Sequence, residues 1–182
     1  MSFPAKTGAE AILKAAVKIV ETAGWEALSM RSIALALGVR ASSLYHHYRD
    51  RTAIEAAMGE VAAQALLTMM AKAAGRKKGR VRLVAVAGAY VAFARENVAL
   101  YPLLAATRSA SSVQVENIAL WQLILDEVAQ FTGKRDATAE AMALWSFLHG
   151  FAAFEAAGKS GVGGSKGGYE RGLSAMLAGL IR

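Results

Sequence analysis

Residues 29–51, Ser-Met-Arg-Ser-Ile-Ala-Leu-Ala-Leu-Gly-Val-Arg-Ala-Ser-Ser-Leu-Tyr-His-His-Tyr-Arg-Asp-Arg, leave the backbone few choices. Met30, Ile33, Ala34 and Leu37 recur at i, i+3, i+4 and i+7, which is one face of a helix. Ser29 stands before them, where a hydroxyl can accept from the first-turn amides. Gly38 follows the last apolar residue, the place where a glycine with positive φ ends a helix. The spacing then predicts a second helix of about two turns over 41–48. Leu44 and Tyr48 face inward on it, and Val39 packs at the turn. At about 100° per residue, Ser42, Tyr45, His46 and Arg49 project outward, with Ser43 on one flank. A helix so short is marginal alone and needs neighbours to hold it.

The outward row of hydroxyls, imidazoles and an arginine suits phosphates and base edges. Two short helices at a tight turn, the second carrying such a row, have the form of a helix-turn-helix. Arg40, Ser42 and Ser43 lie at the opening of the second helix, where backbone N–H groups also favour phosphate. The pattern Gly38-Val39-x-x-x-Ser43-Leu44-Tyr45-x-His47-Tyr48-x-Asp50-Arg51 resembles the signature of TetR-type bacterial transcriptional regulators. With the preceding amphipathic helix, the resemblance covers about the first 55 residues. It implies that Tyr45 and His47 serve phosphate contact or packing, and that His46 sits near the bases. It also implies that Arg31 contacts the backbone, and that Arg51 binds phosphate where the family usually has a lysine.

Composition fits that reading. The 182 residues can bury a proper core in one or two domains. Only two prolines occur, and good helix formers dominate the periodic segments, so the fold class is all-α. There is no cysteine, which excludes disulfides and cysteine-based metal sites and agrees with a reducing cytoplasm. Neither a signal-peptide pattern nor a charge-free apolar run of about 18 residues is present, so no membrane association is expected. The apolar share, 55%, is high and asks for buried surface in a dimer or around a cavity. The net charge of +7 is uneven. Residues 1–52 carry seven Lys/Arg against four acids, and residues 75–82 carry five basic residues and no acid. Residues 83–182 carry eight of each sign. A basic front and a neutral rear suit a protein that meets a polyanion with one end. The run Arg76-Lys77-Lys78-Gly79-Arg80 reads equally as a solvated loop or as a nucleic-acid contact.

The resemblance implies a DNA-binding domain of three helices at 1–52 and a helical effector-binding and dimerisation domain at 53–182. The first helix is predicted at 7–23, with Gly24 ending it and Trp25 packing under the helix-turn-helix. A long helix follows Asp50 to about Ala74, with Ile54, Met58, Val61, Ala65, Met69 and Ala73 as its inward stripe. At 1.5 Å per residue it is roughly 35 Å long and could couple the reader mechanically to the rest. By composition the Gly75–Gly79 linker is the best domain boundary. A helix at 80–96 turns Val84, Ala87, Tyr90, Val91 and Ala94 inward. The broken segment 98–107 holds Pro102, which marks a kink or a helix start. A helix at 112–131 shows Ile118, Trp121, Leu125 and Val128 on one face. The helix at 136–157 is apolar all round and must be covered on every side. Glycines make 158–168 a flexible loop before the last helix at 169–181. The last two helices carry more apolar surface than one subunit covers, which predicts a homodimer through them, with Leu148 and Leu177 at the contact.

Other motifs fail. Gly158-Lys159-Ser160 is no P-loop, because position 153 is alanine and the preceding segment is helical. His46-His47 is no metal pair, since neighbours sit about 100° apart and no further ligand lies at spacing. No nucleophile–base–acid set stands out, so neither an enzyme nor a cofactor is expected. Trp145 and His149 are i, i+4 neighbours in a stretch resembling the Trp-x-x-x-His-Gly segment of one group of TetR C-terminal domains, as does the later Tyr169-Glu170-Arg171-Gly172-Leu173. Two readings remain for them, an effector cavity or an aromatic core with a hydrogen-bonded histidine. Tyr90, Phe93, Tyr101, Trp121, Trp145 and His149 form the candidate cavity, with large apolar bodies and polar tips. No arginine or lysine stands among them, so the effector expected is neutral or weakly polar. The resemblance implies a repressor of a pseudo-palindromic operator, released when effector re-spaces the two readers. The alternative is a helical small-molecule-binding or enzymatic protein whose basic end meets another anionic partner.

Overall fold

The computed structural model describes residues 8–105, 113–132, 137–158 and 167–180. Among them every regular element is helical, as the all-α reading requires. In chain order these are α1 (Ala9–Ala23), α2 (Met30–Leu37), α3 (Arg51–Ala74), α4 (Gly79–Glu96), α5 (Tyr101–Ala105), α6 (Val113–Thr132), α7 (Thr138–Ala156) and α8 (Gly168–Leu180). Two 3-10 turns, Trp25–Ala27 and Ala41–His46, complete the list. Of the predicted glycine-rich loop, residues 159–166 lie outside the described residues. So do 7, 106–107, 112, 136 and 181, at the edges of other predicted segments. Pro102 is the second residue of α5, so it marks a helix start; its missing N–H costs nothing in a first turn.

The chain forms two compact units, Met1–Ala62 with Val98–Val113, and Ala63–Asn97 with Gln114–Arg182. In the first, α1 buries Ile12, Ala16 and Val20, and α2 packs on it with Ile33 and Ala34. Leu28, Leu44, Ile54 and Met58 close this core. On α5, Leu103 comes within contact distance of Gly59 on α3. In the second unit α7 packs on both α4 and α8. Its core holds Leu66 and Met70 of α3, Leu83, Val86, Ala87, Tyr90 and Phe93 of α4, and Leu120, Ile124 and Val128 of α6. Leu144 and Leu148 of α7 and Leu173 and Leu177 of α8 complete it.

Several helices face differently from their predicted stripes. On α3 the buried line is Ile54, Met58, Ala62, Leu66, Met70 and Ala74, and Val61 is 46% exposed. On α4 Ala87, Tyr90, Val91 and Ala94 are buried as predicted; Val84 of that stripe is 40% exposed, and Leu83 and Val86 join the interior. On α6, Ile118 is 63% exposed and Leu120, Ile124 and Val128 are buried. In α7 Met142 and Phe154 are 51% and 52% exposed, so one chain does not cover that helix on every side. Leu148 and Leu177, expected between copies, are fully buried within a single chain. They are core residues, and a charge placed there would unfold the chain.

Candidate nucleic-acid interface and effector cluster

The reader is built from the cap of α2 outward. Ser29 Oγ accepts from the Ser32 amide at 3.0 Å, and Ser32 Oγ accepts from the Ser29 amide at 3.0 Å. This reciprocal pair satisfies two first-turn donors, and Ser32 Oγ also donates to the Ala27 carbonyl at 2.8 Å. At the other end Gly38 takes φ 67° and ψ 36°, a left-handed conformation that side chains adopt at a cost. Val39 N–H reaches back to the Ala34 carbonyl at 3.0 Å, which closes the turn.

Beyond the turn the predicted two-turn α-helix is instead a 3-10 turn, Ala41–His46. Two of its hydrogen bonds span three residues, Ser43 N–H to the Arg40 carbonyl at 3.0 Å and His47 N–H to the Leu44 carbonyl at 2.9 Å, and at its exit Tyr48 N–H reaches the same Leu44 carbonyl over four residues at 3.0 Å. At three residues per turn Ser42 and Tyr45 line up, as do Ser43 and His46. Leu44 is fully buried and anchors the turn. Ser42, Tyr45, His46, His47, Arg40, Arg31 and Arg49 are exposed, and Ser43 is half-buried. Tyr48 is partly buried, and that burial, with the Glu60 charge, raises its phenol above the ordinary tyrosine range. Asp50 Oδ1 accepts from the Ala53 amide at 2.8 Å, capping α3, and its other oxygen meets Arg49 Nε at 3.1 Å. Arg51 is held by two partners: Nε donates to Glu55 Oε1 at 2.5 Å and Nη2 to the Trp25 carbonyl at 3.2 Å. Trp25 therefore serves the reader through its backbone. Arginine carries five N–H donors, so Arg51 has donors left beyond these two bonds.

The structure brings four of the six predicted effector residues together. Tyr90 of α4 and His149 of α7 share a hydrogen bond, Oη to Nδ1, at 2.9 Å. Trp145 meets Tyr90 edge-on with centroids 5.5 Å apart, and Trp121 of α6 meets Trp145 at 6.5 Å. Burial lowers the His149 pKa below the ordinary histidine value, which favours the neutral imidazole. Phe93 is buried on α4 and has no ring contact with this cluster among the described residues. Tyr101 is also buried but belongs to the first unit.

A neighbouring aromatic group was not singled out from sequence. Phe147 stacks on Tyr169 at 6.2 Å, and Phe151 lies 5.5 Å from the same ring. The Tyr169 hydroxyl is buried without a hydrogen-bond partner among the described residues. Burial, reinforced by Glu170, pushes its pKa up to about 12. Glu127 was missed as well. Among the described residues of α6 it is the buried charged one, and Arg82 Nε donates to its Oε1 at 2.6 Å. Correct phasing of α6 would have revealed an acid between the inward-facing Ile124 and Val128.

A capped helix, a glycine turn and a short element with exposed polar side chains over a buried leucine define a helix-turn-helix DNA-binding protein. Residues 12–65 match the model of bacterial regulatory proteins of the tetR family, and residues 83–180 match the tetracyclin repressor-like C-terminal domain. The chain belongs to the TetR family of transcriptional regulators. It is 28% identical over 169 residues to an uncharacterized HTH-type transcriptional regulator of Mycobacterium tuberculosis, covering 85% of this chain and 73% of the other. A solved protein of unknown function from a Rhodococcus species superposes over 100% of both chains with a TM-score of 0.85 and 27% identity. TetR of Acinetobacter baumannii shares the fold at a TM-score of 0.69 and 18% identity, over 93% of this chain and 94% of that one. No helix among the described residues is long and apolar enough to cross a membrane.

Proposed function

We propose that this regulator is a ligand-responsive repressor that binds a pseudo-palindromic operator as a homodimer in the bacterial cytoplasm. The observation that carries the reading is the exposed row on Ala41–His46, held rigidly by the Ser29 cap, Gly38 and buried Leu44. Ser42 and His46 read base edges. Arg31, Arg40, Ser43, Tyr45, His47 and Arg51 contact phosphates and set the register. A dimer is supported by α7, where half-exposed Met142 and Phe154 share a stripe with exposed Ala139, Ala143, Gly150 and Ala153. Small residues let a second copy approach closely, and the large ones give it something to bury. Two readers on one symmetry axis then meet half-sites about 34 Å apart.

The effector sits at Tyr90, Trp121, Trp145 and His149. A neutral imidazole among aromatic rings favours an uncharged or weakly polar molecule with a hydrogen-bonding group. The test is binding to random and genomic duplex DNA at two salt concentrations, followed by release with candidate ligands. Sequence preference on top of a steep salt slope is expected, together with ligand release that coincides with a change in tryptophan emission. Ligand affinity unchanged in both His149→Ala and Trp145→Ala would place the effector elsewhere. Binding without sequence preference would refute the operator reading.

A further inference from the structure

The turn between α3 and α4 does not belong to the reader or to the aromatic cluster. Residues 75–82 carry five cations and no acid. Their geometry is tight: Gly75 and Gly79 take φ 47° and 52°, and Lys77 N–H bonds the Ala74 carbonyl at 3.0 Å. Arg82 braces the turn against α6. Its Nε pairs with buried Glu127 at 2.6 Å and its Nη1 donates to the Gly75 carbonyl at 3.2 Å. These two charges cancel and form a fixed floor.

Above that floor is an open cleft of about 630 Å³. Arg76, Lys77 and Lys78 line one side, and Leu123, Asp126 and Gln130 of α6 line the other. Lys77 Nζ is turned to the Ala73 carbonyl at 2.9 Å, and Asp126 Oδ1 accepts from Gln122 at 2.7 Å. Arg76 and Lys78 are exposed and have no ion-pair partner among the described residues. Three cations against one carboxylate leave an excess of two positive charges around a space of small-molecule size.

We propose that this cleft binds a small phosphorylated metabolite carrying at least two negative charges. The arginine fork and the lysine ammonium groups are suited to phosphate oxygens, while Leu123 and Gln130 give the non-phosphate part an apolar and an amide contact. Asp126 beside the cationic run favours a compact anion over a duplex backbone, which would bring a row of phosphates against that carboxylate. The site shares no residue with the effector cluster, so it gives the regulator a second input.

Titration calorimetry of the full chain with tripolyphosphate, and separately with orthophosphate, at fixed ionic strength tests this. Saturable binding at one site per chain is expected, tighter for tripolyphosphate. The double variant Arg76→Gln/Lys78→Gln alters exposed side chains only and should weaken binding at least tenfold with its melting temperature unchanged. Asp126→Asn removes the opposing carboxylate and should tighten binding several-fold. Absence of saturable binding overturns the proposal, as does unchanged affinity in either variant. A double variant with a shallower salt slope on random duplex DNA and unaltered tripolyphosphate binding would make the run a nucleic-acid contact and overturn it equally.

Discussion

Phe154→Ala measures what the outer face of α7 does. The side chain is 52% exposed in the single chain, so its removal leaves the core of that chain in place. A phenylalanine presents roughly 200 Å² to solvent when free, and about half of that remains open at Phe154. Covering about 100 Å² at about 25 cal/mol per Å² is worth about 2.5 kcal/mol per chain. A twofold contact uses the residue twice, so the dimer loses about 5 kcal/mol, which is between three and four orders of magnitude in its dissociation constant. Sedimentation equilibrium across nanomolar to micromolar concentrations reads that shift directly, and circular dichroism checks that helical content is retained. An unchanged dissociation constant in the variant, or a wild-type chain that is monomeric at micromolar concentration, would refute the reasoning and leave α7 without its assigned partner.

Gly38→Ala forces a left-handed conformation on an L side chain where no atom lies within 4 Å to clash. The cost is therefore conformational alone, about 1–2 kcal/mol, and should lower the melting temperature by a few degrees. Arg51→Ala should weaken binding to every duplex sequence alike and reduce the salt slope by about 0.9, the worth of one phosphate contact, in anisotropy titrations. His149 titrates below its ordinary value because it is buried. The unfolded chain then takes up the proton first, so stability is complete above the ordinary histidine range and falls as pH drops through it. Urea unfolding from pH 8 to pH 5 should show that loss, and His149→Gln should flatten it.

Where the sequence carried punctuation, the structure follows it. Ser29, Gly24, Gly38 and Asp50 mark helix ends by side-chain acceptors or positive φ, and the helices end there. Facing was harder to read. Along α3 alanine is so frequent that two neighbouring stripes look alike, and bulk misleads. Val61 drew the predicted face of α3 toward itself, yet Ala62 is the buried residue, whereas on α4 the predicted face holds from Ala87 onward and Val84 alone departs from it. The 3-10 form of Ala41–His46 was hidden for another reason. Two turns offer too few residues to separate a period of 3.0 from 3.6, and the decision lies in which amides reach the Arg40 and Leu44 carbonyls. The aromatic group divides similarly. The i, i+4 spacing of Trp145 and His149 is local and legible, whereas their union with Tyr90 and Trp121 depends on how α4, α6 and α7 pack.

Selection of bound duplexes from a random pool tests the central claim most directly. The account predicts enrichment of an inverted repeat whose half-sites are centred about 34 Å apart, or a multiple of that, along the duplex. It also predicts that His46→Ala changes the preferred base at one position of each half-site and leaves the rest intact. Retention of duplexes without any enriched sequence would contradict it, and so would a His46→Ala variant that selects the same sequence as the native chain.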